Sequence, residues 1–182
     1  MLPHQGLRGT APLPWWAAGL YHGAYRRLLL DLRQHPQTSS LAALLRGIQP
    51  PTFPSPVTPL LVPVPSWKVR GNPLPALICR LGGQQWRWEK ANLLRRSRPV
   101  LGQHHLGRQM RLENQKGAFL CPRRARGSQA RHHPIFLVDD ILTTGATALS
   151  AAEALKQGGW RVQGLICLAR TPGRRESIRC DL

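Results

Sequence analysis

Acidic residues are scarce in this chain. Asp and Glu number 8 against 26 Lys and Arg over 182 residues, a formal net charge of +18. Such a field attracts polyanions, whether nucleic acid, phosphorylated metabolites or anionic lipid, without choosing between them. Long apolar runs are also missing, so no helix is expected to span a membrane. The apolar patch from Trp15 to Leu20 is too short for a secretory h-region, and Pro3, Pro12 and Pro14 surround it. Cysteine is sparse: Cys79, Cys121, Cys167 and Cys180 include no CxxC pair, so no zinc ribbon is readable. They read as reduced thiols of a cytoplasmic protein. No internal repeat and no heptad run appears.

What is present fits a folded chain. Apolar residues make up 42% and charged residues 19%, which excludes disorder throughout. The 17 Gly and 17 Pro predict many turns and some extended linker. This length allows a real core without a metal or disulfide staple.

Three regions are expected. Residues 1–56 read as an irregular arm to residue 20, then two short helices, Tyr21–Arg33 and Leu41–Ile48. Ser39 or Ser40 caps the second. Five prolines between Gln49 and Pro59 mark a boundary. Residues 57–170 carry the main domain, and residues 171–182 form a basic tail with little order. Within the domain, Leu60–Val64 reads as a buried strand and Leu74–Leu81 as a helix stopped by Gly82-Gly83. A weak strand is expected near Ala91–Leu94, and Arg95–Lys116 as a long mobile loop. Ile135–Val138 is the clearest strand, Thr147–Lys156 a strong helix ended by Gly158-Gly159, and Val162–Leu168 another strand. Strand, helix, strand is the βαβ pattern of a parallel sheet, so the fold class is α/β.

The informative stretch is IFLVDDILTTGATAL, Ile135 to Leu149. An apolar strand delivers Asp139 and Asp140 to its carboxyl end, where ligands bind in parallel sheets. Thr143, Thr144, Gly145, Ala146 and Thr147 then turn into a helix. Backbone N–H groups and hydroxyls at a helix start make a cradle for a phosphate monoester. Gly145 allows close backbone approach. A carboxylate repels phosphate, so the two acids must face something else. Vicinal sugar hydroxyls fit, because an ionised carboxylate only accepts hydrogen bonds. Cradle and acids together describe a ribose 5-phosphate site. The plainer alternative is a double Asp that caps a helix.

VDDILTTGAT resembles the phosphoribosyl pyrophosphate (PRPP) signature of type I phosphoribosyltransferases. More of the chain, from about residue 20 to 170, resembles the ComF family of competence-associated phosphoribosyltransferase-like proteins. That family shows a strand ending in Pro-Val-Pro and then a basic loop with Arg-Gly and Asn, here LVPVPSWKVRGN, Leu61 to Asn72. Arg96, Arg98, Gln103, Leu106, Arg111, Asn114, Ala118 and Phe119 follow a third family pattern in order. The resemblance implies a type I phosphoribosyltransferase-like core with a small helical N-terminal appendage. It implies that Ser66, Trp67, Lys68 and Arg70 clamp pyrophosphate, and that Arg96, Arg98, Gln103 and Arg111 belong to a closing flap. It also implies magnesium arriving with PRPP rather than on a protein site. The usual four-cysteine zinc module has no counterpart here, so no zinc is expected.

Two functions of different class follow. One is an enzyme that transfers phosphoribosyl to an amine or base with release of pyrophosphate, with a role in DNA uptake. The other is a non-catalytic accessory module that binds PRPP or DNA. The basic load in Arg26–Arg33, Arg95–Arg111 and Arg123–Arg131 points to weak, non-specific DNA binding. The acceptor and the oligomeric state, a dimer included, are left open. The pairs His104-His105 and His132-His133 read as solvated loop residues, and Trp86 and Trp88 as alternating residues of a partly buried strand.

Overall fold

The computed structural model of the chain describes residues 6–54, 56–66, 71–97, 110, 115–122 and 133–172. Its centre is β7, Ile135–Val138, and all four of its side chains are buried. That is what a strand covered on both faces of a parallel sheet requires. On one side β7 pairs in parallel with β3, Leu60–Pro63, and on the other with β9, Val162–Arg170. Beyond β3 lies β4, Glu89–Lys90, and beyond β9 lies β2, Trp15–Leu20, both parallel to their neighbours. β1, Leu7–Gly9, closes the far edge antiparallel to β2. The sheet runs β1-β2-β9-β7-β3-β4, and β8, Ile141–Leu142, pairs with the distal part of β9. A small second sheet pairs β5, Arg95–Arg96, with β6, Phe119–Leu120.

Alternation along β7 sorts the core into two layers. Ile135 and Leu137 face the layer that holds α4, Ala146–Gln157. Phe136 and Val138 face α1, Gly23–Gln34, α2, Thr38–Arg46, and α3, Leu74–Trp86. The rings of Trp16, Phe53 and Trp88 surround Phe136, with centroids 5.6, 5.8 and 4.8 Å away. The helices thus lie on opposite faces. The β3–α3–β4 unit winds away from the centre in one direction and β7–α4–β9 in the other. Strand order reverses between β3 and β7, and in open parallel sheets such a reversal is where a ligand crevice lies beyond the carboxyl ends of the strands.

Several expectations are corrected. Residues 15–20 are a strand of the main sheet and not an irregular arm, because WWAAGL is apolar enough to lie inside a parallel sheet. Ser39 and Ser40 sit inside α2, whose N-cap is Gln37. Gly82-Gly83 does not stop α3; the helix continues to Trp86 and ends at Arg87, which takes φ 57°. Both glycines serve close packing instead. A Cβ on Gly82 would stand 2.5 Å from the Trp86 ring, and one on Gly83 2.8 Å from the Trp88 carbonyl oxygen. Trp86 is therefore helical, and the strand expected near Ala91–Leu94 is replaced by β4 before it and β5 after it. Arg170, the last residue of the expected domain, is buried at the end of β9, which runs two residues past the expected Leu168. Residues 173–182 of the basic tail lie outside the described residues.

Candidate functional site at the strand-order reversal

Asp139 and Asp140 fall where β7 gives way to β8, at the carboxyl end of β7 beside that reversal. The backbone keeps its hold on β9 through this step: the Asp139 N–H donates to the Ile166 carbonyl at 3.1 Å, and the Asp140 carbonyl accepts from Leu168 and Ala169 at 2.9 and 3.1 Å. The two carboxylates therefore stand on a braced element. They do not share an environment. Asp140, 4% exposed, follows Phe136 and Val138 onto the α1–α3 side. Its Oδ2 accepts from the Arg33 Nε of α1 and, at 2.6 Å, from Asn72 Nδ2. Asn72 also caps α3, its Oδ1 accepting the Leu74 N–H at 3.1 Å. Burial lowers the Arg33 pKa, but the hydrogen bond and charge of Asp140 outweigh it and hold the group above its ordinary value.

Asp139 lies next to this cluster without the same partners. Its Oδ1 accepts the Asp140 N–H at 2.9 Å. Burial, then the neighbouring Asp140 charge, holds its carboxyl well above the usual range, with Arg33 opposing. Arg96 lies within electrostatic reach, and burial pulls the Arg96 pKa down while Asp139 opposes. Arg96 Nε donates to the Pro65 carbonyl at 3.0 Å and Nη1 to Gln115 Oε1 at 3.1 Å, while its guanidinium covers the Phe119 ring at 4.2 Å. It joins the stem of the segment between β5 and β6 to the loop after β3. Ser66, in that loop, is described; Trp67, Lys68 and Arg70 lie outside the described residues, as do Arg98, Gln103 and Arg111 of the expected flap.

Thr143 to Thr147 form the turn that was expected, closing the step from β8 into α4. Gly145 is the N-cap of α4 at φ 80°, a left-handed conformation that favours glycine. Its second reason is steric: the Pro12 ring from the β1–β2 connection occupies the space of a Gly145 Cβ. The Ala146 N–H makes only a long bond, 3.4 Å, to Thr144 Oγ1. Arg170 Nη1 donates to the carbonyls of Leu142, at 3.1 Å, and Thr143, so the carbonyl side of the turn is held from β9.

Sequence reasoning missed four contributors. By sequence Arg33 belongs to the basic load of Arg26–Arg33, and Asn72 is part of the pattern LVPVPSWKVRGN without a task of its own. Pro12 had no visible connection to the turn. Gln115 is fully buried, its Nε2 without a hydrogen-bond partner among the described residues and its carbonyl bonded by the Ser150 hydroxyl of α4. No local signal reveals these, because each partner is far away in the chain. His133, by contrast, is engaged structurally, with Nδ1 2.6 Å from the Thr58 carbonyl. The buried Cys79 thiol is pushed up to about 12 by burial, which keeps it protonated and unreactive.

No protein-family profile matches the chain. Over 118 residues it is 32% identical to the DNA utilization protein YhgH of Escherichia coli K12, covering 61% of this chain and 49% of that protein. Against the protein of the same name from Salmonella typhi it is 32% identical over 84 residues, 46% of this chain and 34% of that one. The chain is similar to DNA utilization proteins. It spans about half the length, or less, of these curated relatives. Among solved structures, it overlaps adenine phosphoribosyltransferase from Leishmania donovani at TM-score 0.44 and 15% identity, over 90% of this chain and 74% of that one. An alanine mutant from an analysis of an invariant aspartic acid in HPRTs overlaps at TM-score 0.38 and 17% identity, over 86% of this chain and 75% of that one. The α/β class rests on the sheet order of this chain and not on those overlaps.

Proposed function

We propose that the chain binds PRPP across the crevice between β3 and β7 and transfers its phosphoribosyl group to a nitrogen nucleophile, releasing pyrophosphate. One observation carries this reading: the acidic pair and the Thr-Gly turn follow β7 where strand order reverses, and Asn72, from the described end of the loop after β3, bonds to Asp140. In it, Asp139 and the second oxygen of Asp140 accept the ribose 2- and 3-hydroxyls. The turn from Thr143 to Thr147 takes the 5-phosphate, and the loop from Ser66 to Arg70 takes the diphosphate. The bond from the anomeric carbon to diphosphate breaks as the nitrogen bond forms. The carboxylates then stabilise positive charge developing on the ribose.

Among the described residues, no three His, Cys, Asp or Glu side chains cluster as ligands for an ion. In this reading magnesium would arrive with PRPP, whose oxygens are hard donors that suit it. There it would neutralise charge on the departing diphosphate.

A second reading keeps the fold as a non-catalytic accessory module in DNA uptake that binds PRPP or DNA. The net charge of +18 and the likeness to DNA utilization proteins favour it. Pyrophosphate release, measured with PRPP, magnesium and a panel of amines and bases, separates the two. The enzyme reading expects release above the acceptor-free rate for at least one acceptor. It also expects the double variant Asp139→Asn, Asp140→Asn to weaken PRPP binding by about 1.5–3 kcal/mol per lost charge-assisted bond. Calorimetric PRPP binding without release leaves the accessory reading. Absence of PRPP binding removes the site altogether.

A further inference from the structure

Arg33 is fixed at one end and free at the other. Its Nε is bonded to Asp140, and its Nη nitrogens have no partner among the described residues. The side chain is 34% exposed while that of Asp140 is 6% exposed, so the guanidinium leads from a buried carboxylate out to solvent. Asp140 also receives Asn72, which closes the loop after β3, so Arg33 stands beside that loop at the carboxyl ends of the strands. A guanidinium held through Nε presents its remaining N–H groups in a fixed fork, and that fork matches two oxygens of one phosphate group. Pre-alignment by Asp140 lowers the rotamer entropy lost when an anion arrives.

We propose that Arg33 is a diphosphate-binding residue of the crevice, supplied by the N-terminal helix α1 and aimed by Asp140. Rather than serving only as a hydroxyl acceptor, Asp140 would orient a cation for the substrate. The assignment is to the diphosphate and not the 5-phosphate for a topological reason. Arg33 shares Asp140 with Asn72, the residue at the end of the loop after β3 that leads into α3, whereas the turn before α4 is held by Arg170 from β9 and packed by Pro12. No sequence motif marks Arg33, whose partner lies 107 positions away.

This inference rests on the PRPP reading, and the test separates the two. Binding of PRPP, inorganic pyrophosphate and ribose 5-phosphate, each with magnesium, is measured by calorimetry on the full chain as wild type, Arg33→Gln and Arg33→Lys. Both variants should lose about ten-fold or more in affinity for PRPP and pyrophosphate, the scale of one charge-assisted contact. Ribose 5-phosphate should bind as before. Arg33→Lys keeps the charge beside Asp140, so it decides the question if Arg33→Gln fails to fold. A lysine has one nitrogen to share between Asp140 and the anion, and it should bind pyrophosphate less tightly than wild type and more tightly than glutamine. Equal losses for all three ligands would mean that Arg33 only supports the structure, and unchanged pyrophosphate affinity would mean that it touches no diphosphate. Either result overturns the assignment while the PRPP reading stands. A wild-type chain that binds none of the three ligands sinks both.

Discussion

At the residue scale the two signature acids, adjacent in sequence, have different surroundings. Asp140 has a guanidinium and an amide; Asp139 has burial and a like charge. A carboxyl held above its ordinary pKa binds a proton more tightly in the folded chain than in the unfolded one. Stability should then fall as pH rises through the unfolded value, about 4, and go on falling until the folded value is passed. Asp139→Asn removes that titration and keeps an acceptor for the Asp140 N–H. The thermal midpoint of the variant relative to wild type should therefore increase as pH is raised above about 4. A difference that stays level from about pH 4 upward would mean that Asp139 ionises like an exposed acid. Such contrasts were not legible beforehand. The pair itself and the turn from Thr143 to Thr147 are contiguous, so the sequence displayed them. Arg33 and Asn72 lie 107 and 68 positions from Asp140, and only the folded sheet brings them in.

At the scale of elements, legibility followed burial. Ile135–Val138, Val162–Arg170 and α4 are long or strongly patterned, and they appear close to where periodicity put them. The misplaced elements are those whose punctuation had a tertiary cause. Prolines around Trp15 suggested an arm, yet WWAAGL adds a parallel strand beside β9. Gly82-Gly83 looked like a stop, yet both glycines lie inside α3, where aromatic groups crowd the backbone. This gives a test with opposite signs. From helix propensity alone, Gly83→Ala should stabilise by roughly 0.5–1 kcal/mol. The contact with the Trp88 carbonyl, 2.8 Å from the new Cβ, cannot yield easily because it is backbone. Gly83→Ala should therefore lower the thermal midpoint. A raised midpoint would show that the helix end has room, and that the glycine is there for another reason.

At the scale of the whole molecule the question is what a charge of +18 is for. Among the described residues, few cations are engaged around the acidic pair and the turn. Arg96 is committed to Pro65 and Gln115, Arg170 to the turn before α4, and Arg33 to Asp140. Other cations stand elsewhere: Arg26 and Arg27 are exposed on α1, and Arg46 and Arg80 on α2 and α3. We propose that this remaining charge binds DNA, single- or double-stranded, weakly and without sequence preference. No helix-turn-helix or zinc-finger pattern accompanies the cations, so phosphate contacts should dominate. Each phosphate neutralised on duplex DNA releases about 0.9 counterions, and affinity should fall steeply from low to physiological salt. The exposed arginines named here lie on α1 to α3 and not on the acidic pair or the turn before α4, so PRPP should displace little of the DNA. The measurement is a fluorescence titration of a labelled oligonucleotide at two salt concentrations, repeated with saturating PRPP. Binding that ignores salt would contradict phosphate-dominated contact, and strong displacement by PRPP would put the nucleic acid in the crevice itself. Absence of binding at low salt would leave the charge to the phosphorylated substrate alone, and with it the enzyme reading over the accessory one.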